Sequence, residues 1–377
     1  MNNNQKKLRL IYVEDEDEFR LNLITTLEKK FDLASIDVGE FSQEQNGGEI
    51  GEQFLSWLKK TLGDNQTIDG VILDSDLSGF SNGISKEMLL SAFRIIGLPV
   101  CRYSKRQKQT SSERLKHFAT LASEGASSIL VPSFLLNGPT ENTQARSEQL
   151  TDWLFATFSG FSYLREAYSG LIETDIAQHN AAELLAKLLK RPKLELDFVG
   201  YTGASLFFFG DAMAAPEGSS SLVEERARHV STRLGYWLMN YIIAFPGPIL
   251  NLPSAAALVG VRSDTIAVDS FKKAFPNTDY SGPFSGCLPL FFREDIEDVM
   301  SNMGMFGMDV LKSAKISDML PLYDGEPSKS GAYCVATDAS IKREDSVGPF
   351  DWIPPGASEL CRIEKKTYAR FGPWLNV

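Results

Sequence analysis

Leu8-Arg9-Leu10-Ile11-Tyr12-Val13-Glu14-Asp15-Glu16-Asp17 is a short apolar run that ends abruptly in carboxylates, and Ile68-Asp69-Gly70-Val71-Ile72-Leu73-Asp74 repeats the pattern later in the chain. Apolar side chains along the whole of each run predict strands covered on both faces, as in a parallel sheet. In an open α/β sheet, ligands bind just beyond the carboxyl ends of such strands. Two neighbouring strands ending in Glu14-Asp15 and Asp74 would therefore place three carboxylates around one point. Like charges that close are costly unless a hard cation neutralises them, and Mg²⁺ with its oxygen ligands is the natural choice.

Helical and extended patterns alternate outward from these runs. Phe19, Leu23, Ile24 and Leu27 fall near helical spacing, and Leu33 to Val38 reads as a short second strand. A polar, Gly-containing insertion, Ser42 to Gly51, precedes a helix from Phe54 to Leu62 with Trp57 and Leu58 inward. Helices are also predicted over Ser85 to Ile96 and Ser111 to Ser123, with strands at Leu98–Ser104 and after Gly125. This alternation predicts an α/β fold with a doubly wound, five-stranded parallel sheet.

The residues at the strand ends resemble the receiver domain of two-component response regulators. In that family an acidic pair after the first strand holds Mg²⁺, and an aspartate after the third accepts a phosphoryl group. Val13-Glu14-Asp15-Glu16 and Val71-Ile72-Leu73-Asp74 match those positions. Leu77-Ser78-Gly79 with Asn82-Gly83 matches the loop after the acceptor, and Ser104 the hydroxyl residue that bonds the phosphate. Gly125 to Phe134 matches the fifth strand and its exit. The resemblance implies a flavodoxin-like sheet, an Mg²⁺ site at Glu14, Asp15 and Asp74, phosphorylation of Asp74 by a partner kinase, and a bacterial signalling role. It covers roughly the first third of the chain. The family carries a Lys at the end of the fifth strand, before a Pro; here Val131-Pro132 holds that place, and Ile129 stands where the switch aromatic belongs. Lys105, beside Ser104, is the nearest cation in sequence. The expected switch is therefore degenerate, as in a pseudoreceiver.

A chain of 377 residues should hold more than one domain. The net charge of −11 argues against a broad, non-specific grip on nucleic acid. Four scattered cysteines, Cys101, Cys287, Cys334 and Cys361, read as reduced thiols of a cytoplasmic protein. There is no signal-like or membrane-spanning apolar run. The breaker cluster Asn137-Gly138-Pro139-Thr140 suggests a domain edge. The expected division is a receiver-like domain over 1–138, a helical connector over 139–193, and an α+β output or interaction domain over 194–377.

In the connector, Leu150, Trp153, Leu154, Phe158, Phe161 and Leu164 form an apolar stripe. It suits either packing within its own domain or a last receiver helix that couples or dimerises. Beyond it, Leu194–Val199 and Ala204–Phe209 are predicted strands, and a helix is predicted from Leu222 to about Phe245. Ser254 to Ala274 has some character of a helix-turn-helix, with small residues and Gly260 at the turn, but it lacks a basic stripe. A Met-rich stretch (Met300, Met303, Met305, Met308) suits core packing or a partner surface. Asp351 with Glu364-Lys365-Lys366 offers the short Asp/Glu-x-Lys pattern of metal-dependent nucleases, in which carboxylates bind Mg²⁺ and the Lys positions the attacking water. No phosphate loop, nucleophile elbow or zinc signature occurs. The function expected from the whole chain is a receiver-like sensor or adaptor with a protein-binding output. The alternatives are an effector nuclease using Asp351, Glu364 and Lys366, and a DNA-binding regulator using 254–274.

Overall fold

Both apolar runs are strands. The computed structural model describes residues 7–15, 23–34, 37–43, 49–63, 68–78, 83–104, 110–124, 126–137, 143–172, 180–204, 220–326 and 328–371. Among them β1 (Leu8–Val13), β2 (Phe31–Ala34), β3 (Gly70–Asp74), β4 (Val100–Tyr103) and β5 (Ile129–Leu130) form an all-parallel sheet in the order β2-β1-β3-β4-β5. Every residue of β3 is buried, as a strand covered on both faces requires.

Alternation along the strands sorts the side chains between two faces. Ile11, Val13, Val71, Leu73 and Val100 share one core with helices Ile50–Leu62 and Lys86–Ile96. The first of these helices buries Phe54, Leu58 and Leu62, spaced four apart on one stripe. The second starts where the Ser85 side chain accepts the Met88 N–H and stops at Gly97, whose φ of 77° is the left-handed C-terminal cap. The opposite face is covered by helix Thr143–Ile172. Its Phe158 is fully buried, meets the Phe31 ring edge-on with centroids 6.3 Å apart, and fills the space where a Cβ on Gly70 would stand. Helix Ser220–Trp237 adds Tyr236, whose hydroxyl accepts the Val100 N–H at 2.8 Å.

The chain forms two compact units that interleave in sequence. The first comprises Met1–Lys108, Ser127–Thr174 and Asp211–Tyr236; the second comprises Gln109–Ala126, Asp175–Gly210 and Trp237–Val377. This differs from the expected division at 138 and 193. The 143–172 helix, read as a connector, belongs with the parallel sheet because its apolar stripe is that sheet's cover. Helix Ser111–Glu124, read as part of the receiver, belongs with the second unit. There Phe118 packs on Phe245 with centroids 5.1 Å apart, and the Arg114 guanidinium donates to the Val335 carbonyl and the Tyr333 hydroxyl.

In the second unit β8 (Ala332–Cys334), β9 (Ala339–Ile341), β10 (Ser346–Val347) and β11 (Cys361–Glu364) form a sheet in the order β10-β11-β8-β9, and β6 (Ile249–Asn251) pairs with β7 (Leu290–Phe292). The β8–β9 turn holds Asp338 at φ 54°, a left-handed conformation that Asp tolerates better than most residues. The Tyr333 hydroxyl donates to Asp338 Oδ1 at 2.6 Å while accepting from Arg114 at 3.0 Å. Asn251 Nδ2 also donates to it at 3.4 Å, so Tyr333→Phe removes three bonds from a fully buried ring, and is expected to destabilise the chain by about 1–3 kcal/mol in urea denaturation.

One reading of the second half changes. The strand predicted over Leu194–Val199 is a 3₁₀ turn, Pro192–Leu194, followed by helix Glu195–Val199. Leu194 and Phe198, four apart, are both buried, whereas Leu196 and Val199 are exposed, so the local period is helical. Residues 205–209, predicted as the next strand, lie outside the described residues. The helix-turn-helix candidate consists of helix Leu252–Leu258, a 3₁₀ turn and helix Val268–Ala274. That last helix has seven residues, buries Phe271 and Ala274, and pairs Lys272 with Asp279 at 3.0 Å. In the Met-rich stretch Met308 is buried, whereas Met303 and Met305 are exposed.

Candidate metal and phosphoryl site

β1 and β3 are adjacent and parallel, so their carboxyl ends emerge side by side. Glu14 and Asp15 follow β1 directly, and Asp74 closes β3. One ligand oxygen from each of Glu14, Asp15 and Asp74 lies within 4.8 Å of the others. Among the described residues this is the one group of three or more acidic, His or Cys side chains able to share an ion. Glu14 and Asp74 are 4% and 1% exposed, too buried for water alone to screen their mutual repulsion. The all-oxygen donor set suits Mg²⁺ or a similarly hard cation.

Hydrogen bonds fix the end of β3 and one Asp74 oxygen. The Asp76 N–H donates to Asp74 Oδ1 at 3.1 Å. The Ser75 N–H continues the ladder onto the Tyr103 carbonyl at 2.8 Å, fixing the end of β3 against β4. Ser104 follows β4 immediately and is half-buried. It is one residue beyond Tyr103, the register partner of Asp74. Val131 is buried with its N–H on the Arg102 carbonyl, and Ile129 is 2% exposed. Lys105, Gly79 and Asn82 lie outside the described residues.

Two residues of this site escaped the sequence reading. The Tyr103 hydroxyl donates to Glu14 Oε2, and the Tyr12 and Tyr103 hydroxyls are 3.1 Å apart. Burial, then the neighbouring Tyr12 and Glu14, holds the Tyr103 hydroxyl well above its ordinary range, so it stays a proton donor rather than a phenolate ligand. The signal was present as parity: Tyr12 stands two residues before Glu14, and the strand's alternation carried one residue past β1 puts both on one face. Outer-shell donors that fix a ligand's orientation commonly matter about 10–100-fold in metal affinity. Tyr103→Phe is accordingly expected to weaken Mg²⁺ binding roughly tenfold, with little change in the metal-free circular dichroism spectrum; calorimetric titration at constant pH checks it.

Comparison with protein-family models, curated proteins and solved structures found no match. The reading of the site therefore rests on its own chemistry.

The residues of the nuclease pattern are placed differently from a shared acid site. Glu364 ends β11, and Lys366 lies in the following helix, Lys365–Phe371, with its ammonium 3.3 Å from Glu364 Oε1. Asp351 is exposed in a turn after β10. Glu364 and Lys366 line a cleft of about 570 Å³ with Thr110, Ser111, Ser112 and Arg370; among the described residues Asp351 does not line it. No described helix is long and apolar enough to cross a membrane.

Proposed function

We propose that this chain is an atypical, receiver-like signalling protein of flavodoxin-like strand order, with Asp74 as its phosphoryl acceptor. The observation that carries this reading is the meeting of Glu14, Asp15 and Asp74 within 4.8 Å at the carboxyl ends of adjacent parallel strands. The strand order 2-1-3-4-5 supports it, because ligands of that fold sit at the end where β1 and β3 diverge. A bound Mg²⁺ supplies charge neutralisation for the incoming phosphoryl oxygens. An Asp74 carboxylate oxygen attacks phosphorus as the bond to the donor breaks, for a kinase phosphohistidine its P–N bond, and the imidazole leaves. The Ser104 hydroxyl bonds the transferred group, while Tyr103 keeps Glu14 oriented. With Val131-Pro132 in place of the family's Lys, and Ile129 in place of the aromatic, the modification is read out weakly or by another route. The output is contact with a protein partner through the second unit.

The test is to incubate the chain with Mg²⁺ and a small phosphodonor, or with beryllium fluoride, and to compare mass and conformation of wild type and Asp74→Asn. Phosphoryl mass on the wild type alone, with little rearrangement, is the expected result. No modification and no beryllium fluoride response, despite bound Mg²⁺, would sink the phosphoryl reading.

A nuclease remains the second reading because Glu364 and Lys366 share a cleft. Mg²⁺-dependent DNA cleavage that is lost in Glu364→Ala would favour it.

A further inference from the structure

Away from the acid pocket, the second unit holds its cleft of about 570 Å³ just past the carboxyl end of β11. Small-molecule sites usually enclose about 300–1,000 Å³. The cleft is more cationic than the chain, whose net charge is −11: Lys366 and Arg370 stand there against one carboxylate, Glu364. Lys366 and Arg370 are one turn apart on helix Lys365–Phe371, and so lie on the same face. Lys366 pairs with Glu364 at 3.3 Å. Among the described residues Arg370 pairs with no carboxylate; its guanidinium lies over the Phe371 ring, 5.4 Å from the centroid.

The first turn of helix Ser111–Glu124 forms another part of the wall. The Thr110 hydroxyl accepts the Glu113 N–H at 3.3 Å, and the Thr110 carbonyl accepts the Arg114 N–H at 3.0 Å. Among the described residues the N–H groups of Ser111 and Ser112 stay open, and both residues line the cleft. The Glu113 carboxylate folds back onto the Thr110 N–H and hydroxyl, at 2.9 and 3.0 Å, and does not line it. Glu364 is fixed in place. Its N–H reaches Cys334 Sγ at 3.3 Å, and its Oε2 accepts the Thr367 hydroxyl at 3.3 Å. Each of its carboxylate oxygens keeps a lone pair for a further donor.

We infer that this cleft binds a sugar phosphate, free or as part of a mononucleotide. A phosphomonoester is close to a dianion at neutral pH and matches the two cations in charge. Arg370 can donate two parallel N–H bonds to its oxygens, and the Lys366 ammonium a third. The open Ser111 and Ser112 N–H groups, at the positive end of their helix, add donors for another oxygen. The cleft exceeds what a bare phosphate fills. Phe371 offers an aromatic face to the sugar or base, and Glu364 an acceptor for sugar hydroxyls. This inference is independent of the reading of Asp74. Unlike the nuclease reading of the same cleft, it calls for no metal on Glu364.

Calorimetric titration of the full chain in EDTA tests it, at fixed ionic strength, with inorganic phosphate, ribose 5-phosphate and AMP as probes. At least one of the two esters is expected to bind more tightly than inorganic phosphate, and the tighter ester tells the free sugar phosphate from the mononucleotide. Arg370→Gln should weaken that binding about tenfold or more, the loss of a charge-assisted bond. Its side chain is exposed, so the fold is kept. Ser112→Asp separates binding from folding. An acidic residue in the first turn favours the helix, so the unliganded chain should melt no lower, yet the added charge should abolish binding. Asp74→Asn should bind as wild type does. The proposal is overturned if neither ester binds, or if inorganic phosphate binds as tightly as both. It is equally overturned if binding is undiminished in Arg370→Gln or Ser112→Asp, or is lost in Asp74→Asn.

Discussion

Phe158→Ala is expected to destabilise the first unit by roughly 3–5 kcal/mol, the range for deleting a fully buried aromatic ring. Phe158 is 0% exposed, and its ring sits against the Phe31 ring and over Gly70 in the middle of the sheet. The site cannot collapse easily, because β3 is hydrogen-bonded on both sides and cannot move toward the vacated space. Gly70→Ala attacks the same contact from the other side: its Cβ would come within 2.2 Å of the Phe158 ring and 3.1 Å of the Pro99 carbonyl. Chains ending at residue 138 lose the whole 143–172 cover, including Leu150, Leu154, Phe158, Phe161 and Leu164, all buried. Such a truncation is expected to be aggregated or molten, while the full chain unfolds cooperatively in urea. A well-folded 7–138 fragment would show that the sheet does not depend on that helix.

Asp74→Asn is expected to stabilise the metal-free chain and to abolish its response to Mg²⁺. At an effective dielectric of about 20, two carboxylates 4.8 Å apart repel by roughly 3 kcal/mol. Asp74 faces two such neighbours, and the Asp76 N–H bond offsets part of that repulsion, so a net gain of about 1–3 kcal/mol is expected from neutralising it. Wild type, by contrast, should gain about 1.4 kcal/mol when Mg²⁺ is raised to ten times its dissociation constant. Urea melts of both proteins, in EDTA and in excess Mg²⁺, give the four values needed. If Asp74→Asn is the less stable protein in EDTA, or is stabilised by Mg²⁺ as much as wild type, the three carboxylates do not form a cation site.

The strands and the acid pocket were legible because their determinants are local. An apolar run such as Val71-Ile72-Leu73 has no polar face to offer water, so burial on both faces follows from composition alone. A carboxylate that closes such a run must then lie at the carboxyl edge. The alternate-face rule that puts Glu14 with Tyr12 was equally present in the sequence. Its consequence, the Tyr103–Glu14 bond, depended on knowing that β3 stands between β1 and β4, so that a residue of β4 reaches across to β1. Glu195–Val199 shows the opposite case, where a short segment fits either period and the burial of Leu194 and Phe198 decided for helix. Local pattern was enough for the parallel strands and for the three carboxylates at their ends. Which helices cover the sheet depended on long-range packing, because an apolar stripe states that a helix must be buried and not against what. That choice took Phe158 to Gly70 and Arg114 to Tyr333.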